Sequence, residues 1–252
     1  MKTRTGRHVL LAVACVTALL AVSGLAAAEK PVRSVSGNIE TIFNGGFSPK
    51  TLSKKKPTPI TFNISGKIRT LDGEHPPALK EFLLEGDKHA GISVKGIPTC
   101  KQGKLQSTDT AQARKACKPA LIGGGRAEAE IKFPEQPPIE TSTELLVVNG
   151  GFKGGVTTLF IHAYITVPTP AAIVTVVKVK KAHNGRYGLK SVATIPKIAG
   201  GSGSVTFFSL KLQKGIISAT CPDGHLNARG TAVFSDGTRV KGAVVRPCTG
   251  KG

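Results

Sequence analysis

The chain has 252 residues, with 35 Lys and Arg against 15 Asp and Glu, a formal charge of +20, 30 glycines, five cysteines, two tyrosines and no tryptophan. A hydrophobic share of 40% suffices for a folded core and excludes a purely polar, disordered chain. The shortage of Trp and Tyr argues against an aromatic sugar-binding platform, and the charge points to acidic partners.

The first element reads as a secretory signal. Lys2, Arg4 and Arg7 precede an uncharged apolar run from Val9 to Val22, and Ala26, Ala27 and Ala28 supply a small-residue cleavage site. The run is shorter than the ~20 residues that span a bilayer, which disfavours an uncleaved anchor. Lipid attachment at Cys15 lacks the usual preceding Leu, and the apolar run continues past it. Cleavage near Ala28 leaves 32 basic and 15 acidic residues, a formal +17. No later stretch is apolar enough to cross a membrane, so a secreted, extracellular chain is expected. Residues 29–35 read as a flexible N-terminal arm, and 36–252 as a single domain with a possible division into two sub-lobes near 134–142.

Four cysteines then remain: Cys100, Cys117, Cys221 and Cys248. An even count in an oxidising compartment implies disulfides. Of three pairings, the two local ones, Cys100–Cys117 and Cys221–Cys248, are expected. The segment "TDTAQARKAC" is the one run with helix formers and no β-branched cluster, with Ser107 or Thr108 able to cap it. "CPDGH" places His225 four residues after Cys221, which raises zinc as an alternative. No Cys-x-x-Cys pair accompanies it, and Asp223-Gly224 reads as a turn.

The rest alternates strand and turn signals. Strands are expected at 59–69, 79–85, 90–95, 126–133, 143–149, 156–167 and 203–213. "AAIVTVVKVKKAHNGRYGLKSVATI" is a hairpin about Asn184-Gly185, and "ARGTAVFSDGTRVKGAVV" another about Asp236-Gly237. In the first, Ile173, Thr175, Val177 and Val179 share one face. Val174 and Val176 share the other with Lys178 and Lys180, so that face turns polar along its length. Prolines fall between the runs, where a missing amide hydrogen harms a ladder least. Many strands with one short helix predict an all-β fold: an antiparallel β-sandwich of roughly 10–13 strands, with the helix between Cys100 and Cys117. "NGGF" at 44–47 and again at 149–152 reads as two similar turns rather than a duplication.

Four blocks, "FNISGKIRTLDGEHPPALKEFLLE", "GIPTCKQGKLQSTDTAQARKACKPALIGGG", "PKIAGGSGSVTFFSLKL" and "ARGTAVFSDGTRV", resemble a group of secreted, strand-rich proteins encoded in many copies by soil actinobacteria. The resemblance covers most of the mature chain, and its cysteine-flanked block is the most specific part. It implies export and an all-β fold, and it carries no catalytic residues over.

Direct signals of catalysis are missing from the sequence. "GGSGS" at 200–204 is a glycine-rich loop with no helix after it, unlike a nucleophile elbow. Asp72, Asp223 and Asp236 each precede glycine and read as turn residues. Glu128 and Glu130 alternate with Arg126 on a solvated strand face. His162 shares a face with Phe160 and Tyr164 and reads as packed rather than ligating. Neither a metal site nor a cofactor is expected. The remaining clue is charge: Lys54, Lys55 and Lys56 in one loop, Lys178, Lys180 and Lys181 near a hairpin tip, and Arg239 and Lys241 on another strand. Such groups attract anionic envelope polymers or polysaccharide over a Debye length of ~8 Å. Equally, they can serve only solubility and edge protection. Nucleic acid is not expected, because export and sparse aromatics weigh against it. The sequence therefore leads to a secreted, non-enzymatic binding or structural component of the bacterial exterior. The alternatives are an extracellular hydrolase or carbohydrate-active protein with a loop-built site, and a surface-assembly or adhesion protein working through sheet edges.

Overall fold

The computed structural model describes residues 29–252; the expected signal segment and its cleavage site lie outside the described residues. Fifteen strands account for most of the described residues. In order they are β1 (Val32–Ser36), β2 (Ile39–Ser48), β3 (Thr51–Ser53), β4 (Thr58–Thr70), β5 (Leu79–Asp87) and β6 (Ala90–Ile92). After the single α-helix among the described residues, α1 (Thr110–Cys117), come β7 (Leu121–Ile131), β8 (Ile139–Lys153), β9 (Val156–Ile165), β10 (Ala171–Asn184) and β11 (Tyr187–Thr194). The last four are β12 (Gly203–Ala219), β13 (His225–Phe234), β14 (Arg239–Pro247) and β15 (Thr249–Lys251).

The fold is all-β and antiparallel, as the strand spacing predicts. One 13-stranded sheet runs β1-β2-β4-β12-β7-β8-β9-β10-β11-β5-β13-β14, with β6 attached to β12. Among the described residues only the short β3–β15 pair is parallel. The sheet rolls until its ends meet. Gly242 of β14 packs so closely on Ser34, Phe43 and Val32 of β1 and β2 that an added Cβ would lie 3.2–3.7 Å from them. The two faces of the sandwich thus belong to one continuous, barrel-like sheet. Its period-two alternation sends Ile60, Ile64 and Ile68 of β4, and Val240 and Val244 of β14, to the buried interior.

Close strand approach explains the triple glycine 123–125. A Cβ on Gly125 would fall 1.8 Å from the Ser209 carbonyl oxygen of β12, so any side chain there would break the β7–β12 ladder.

The two disulfides join Cys100 to Cys117 and Cys221 to Cys248, with Cα–Cα separations of 5.6 and 6.2 Å. The first holds the α1 excursion on the outer face of β8–β10. There Leu105, Ala113 and the disulfide bury Leu146, Val148, Phe160 and Val174. Val174 and Val176 are therefore covered, while Lys178 and Lys180 beyond them on the same face stay exposed. Neither residue expected to cap the helix does so. Asp109 is the cap, accepting from the Gln112 amide at 2.8 Å while the Gln112 side chain accepts from the Asp109 amide at 3.2 Å, a reciprocal capping box. The second disulfide sits in a cluster with Phe47, Leu52, Ile60 and Leu226.

Two other local expectations change. The segment read as a loose arm is strand from Val32, paired in full with β2. Residues 134–142 are a hairpin connection and the start of β8, since β7 and β8 pair from Ile131↔Ile139 onward. The repeated "NGGF" proves to be two unlike devices. Asn149 is buried and donates to the Ile97 and Pro98 carbonyls at 3.0 and 3.1 Å, pinning the chain before Cys100, whereas Asn44 accepts from Arg246 at 2.7 Å.

Each disulfide closes a loop whose chain entropy is worth roughly 3 kcal/mol. The Cys221→Ala/Cys248→Ala double variant should lose about that much stability in urea unfolding. Intact mass after alkylation without reductant should show no labelled cysteine in the wild-type mature chain. Labelling of two or more would contradict the pairing.

Candidate functional site

The interior of the rolled sheet is not filled. Its upper part, toward the β8–β9 and β10–β11 turns, holds a chamber of about 200 Å³. A second of about 130 Å³ lies below it, toward the β9–β10 and β13–β14 turns. Both are lined almost wholly by apolar side chains. Phe82, Ile161, Ala193, Phe208 and Leu210 border both, so the two are stacked along the strands. Phe82 and Phe208 meet edge to face, with centroids 5.2 Å apart, and Phe43 lies 5.8 Å from Phe82. Phe208 can hold that position because Gly66 opposite it has no side chain; a Cβ there would come within 2.5 Å of the ring.

Several inward residues, among them Phe62, Leu84, Leu189 and Leu210, keep partial accessibility although they point away from the outer surface. Protein interiors normally pack with few voids larger than a water molecule. At roughly 24 cal/mol per Å³, a fully sealed apolar void of that volume would cost on the order of 5 kcal/mol; the upper chamber is only partly enclosed, so its cost is smaller.

Polar groups line the upper chamber mainly at its top. Asp87 is buried and accepts from the Asn227 amide and side chain at 3.0 and 2.8 Å and from the His89 amide at 2.9 Å. Arg246, the last inward residue of β14, donates to the Gly45 carbonyl at 2.5 Å and to Asn44 at 2.7 Å, and lies 3.1 Å from the Glu29 carboxylate. Lys50 holds the other oxygen of Glu29. Buried charges need such partners: Arg246 is paired with Glu29, and Asp87 is held by hydrogen bonds alone.

The cations expected from sequence are not one patch. Strand register puts Lys54, Lys55 and Lys56, before β4, at the upper end, together with Lys180 and Lys181 beside the β10–β11 turn. Lys178 is one repeat further down β10. Arg239 and Lys241 begin β14 and lie at the lower end. The structure adds Lys88, Lys153 and Lys214 to the upper group, all exposed. Ion pairs at that end engage Lys50, His89, Arg229 and Arg246 instead. Acidic residues gather below: Asp72, Glu74, Glu81, Glu130, Glu135 and Asp236 stand at or near the lower turns. The charge is thus graded along the strands, which a linear reading of lysine runs does not reveal.

Two histidines belong to buried polar chains. His162 is fully buried between β9 and the α1 excursion, and its Nε2 lies 2.9 Å from the Thr108 carbonyl while Nδ1 has no partner. It is a packed residue, as its aromatic neighbours suggest. A further chain was not visible in the sequence: Ser204 Oγ lies 3.1 Å from His75 Nε2, and His75 Nδ1 lies 2.6 Å from Glu130. The spacing imitates a nucleophile, base and orienting acid. However, Ser204 is 1% exposed and its hydroxyl also reaches the Pro76 carbonyl. A nucleophile needs an open approach for substrate, so this chain is a pin that holds the β4–β5 connection to β12. Glu130 is accordingly bonded to His75 rather than merely solvated, while Arg126 and Glu128 do pair on the outer face. The Cys221 sulfur is bonded to Cys248, so "CPDGH" serves as a turn, with Gly224 at φ +77°.

Comparison with protein-family models, curated proteins and solved structures finds no match.

Burial pushes the His162 imidazole below its ordinary range, against smaller upward pulls from the Thr108 carbonyl and Asp109. The unfolded chain takes up this proton first as pH falls below about 6.5. Stability from the neutral ring is therefore complete above that value and declines as pH falls. The urea midpoint should drop from about pH 7 to pH 5, and less so in His162→Gln; equal slopes would refute this role. Ser204→Ala should cost about 1–2 kcal/mol of stability. A fluorophosphonate probe should leave the wild type unmodified, and labelling at Ser204 would support the hydrolase reading.

Proposed function

We propose that the protein is an exported, non-enzymatic binding protein that carries an apolar small molecule inside its rolled sheet. The observation carrying this reading is the pair of stacked apolar chambers, kept open where side chains of ordinary size would have closed them. Small-molecule sites are typically concave and apolar with a few convergent polar groups. Here the polar groups are Asp87, Asn227 and Arg246 at one end. Export rests on the signal-like leader in the sequence and agrees with two disulfides, which persist in oxidising compartments. No helix among the described residues is long and apolar enough to cross a membrane. Assembly through sheet edges is disfavoured, because β1 and β14, the ends of the sheet, pack on each other.

A second reading is contact with anionic envelope polymer, which the gathering of exposed lysines at the upper end favours. The two are compatible, since one uses the interior and the other the surface.

The apolar fluorophore N-phenyl-1-naphthylamine should brighten on binding the purified mature protein. Ala193→Phe places a ring at the junction of the chambers. It should weaken that binding about tenfold, a loss of ~1.4 kcal/mol, while circular dichroism and thermal midpoint stay at or above wild type. Undiminished fluorescence in this variant would rule out the interior as the site.

A further inference from the structure

We infer that the occupant of the interior is an amphipathic anion: a hydrocarbon body in the upper chamber with an acidic head at the basic upper end. This rests on the interior binding proposed above and adds the chemistry and orientation of the ligand. Three observations at different places in the fold converge on it.

The first is the alignment of two gradients. The larger chamber is the upper one, and the upper turns carry Lys54, Lys55, Lys56, Lys88, Lys153 and Lys181, all exposed. The lower chamber ends among turns rich in carboxylates. A neutral hydrocarbon gains nothing from this grading, whereas a single-headed acid is told which way to enter.

The second is an acid group already seated there. The Glu29 carboxylate, supplied by the segment before β1, sits between Lys50 and Arg246, and one of its oxygens lies 3.1 Å from where a Cβ on Gly46 would stand. Gly45 and Gly46 both line the upper chamber. The chain therefore shows where a carboxylate is held at the chamber's edge, with Glu29 in the position a ligand head would share or take.

The third is the covering of that end. The segment 90–97 crosses it: Ala90 and Ile92 line the chamber, and Val94 packs on Val147, Leu159 and Ile216. The apolar body is shielded by this cover, while Lys88 just before it and Lys95 within it face water.

The experiment displaces N-phenyl-1-naphthylamine from the mature protein with hexadecanoic acid, hexadecyl phosphate and hexadecan-1-ol, which share one chain. At low salt the two acids should displace the probe at lower concentration than the alcohol, and high salt should close the gap. The Lys54→Gln/Lys55→Gln/Lys56→Gln variant, altered only at exposed positions, should narrow it. Glu29→Gln, which frees Lys50 and Arg246, should strengthen the acids by roughly three- to fivefold and leave the alcohol unchanged. Equal potency of acids and alcohol, or a gap indifferent to both variants, would overturn the amphipathic anion while leaving an apolar site intact. Failure of all three to displace the probe would instead sink the interior-binding reading. Incubation with phosphatidylglycerol vesicles, followed by native mass measurement of the re-isolated protein, separates the sources. A phospholipid adduct identifies a bilayer lipid, and an adduct only with free hexadecanoic acid or hexadecyl phosphate identifies a soluble amphiphile; either supports the inference.

Discussion

Gly242 of β14 lies against Val32 and Ser34 of β1, and two repeats further on Arg246 reaches across to the Gly45 carbonyl of β2. These contacts bring the first and last strands of a 13-stranded sheet together without a ladder between them. Most other features depend on this meeting. An open sheet of that length would expose one apolar face and two edges to water. Rolled, it turns every second residue of its long strands toward a shared interior and leaves the alternate residues for solvent or for α1.

A rolled sheet has a circumference set by strand number and tilt rather than by the volume of its side chains. Filling is then a separate choice at each inward position. In the lower half Ile131, Ile165 and Ile198 and in the upper half Ile60 and Leu226 pack well. Ala193, Ser191, Gly86 and Ala228 are small where larger residues would close the space. The result is a firm wall around an apolar void, with an internal ion pair and a carboxylate–amide cluster confined to one end. The Ser204–His75–Glu130 chain and His162 lie outside the void, whose polar groups at the upper end are Asp87, Asn227 and Arg246.

Much of the architecture is legible in the sequence because it follows from local rules. The strand alternation of 171–195, the turns at Asn184-Gly185 and Asp236-Gly237 and the helix around "TAQARKAC" each depend on neighbours a few residues away, and the cysteine pairs on partners 17 and 27 residues off. The cap of α1 shows the limit: Ser107, Thr108 and Asp109 are all capping types, and only the backbone geometry selects Asp109. The site was less legible still. A chamber is a property of strands brought together from β2 to β14, and small inward residues such as Ala193 look unremarkable in a row of alternating positions. Ser204, His75 and Glu130 converge from three separate elements, so no spacing announces them. Lysine runs were visible one by one, but register alone reveals that two of the three groups share an end and the third does not.

The Phe82–Phe208 contact stands where the two chambers adjoin, since both rings line both. On the proposed interior binding, short occupants would fit above these rings and leave them undisturbed. Longer ones would have to displace them to reach the compartment beneath, so chain length would be sensed as a step rather than a slope. The aromatic pair would then act as a gauge of chain length, set apart from the charged groups at the upper end.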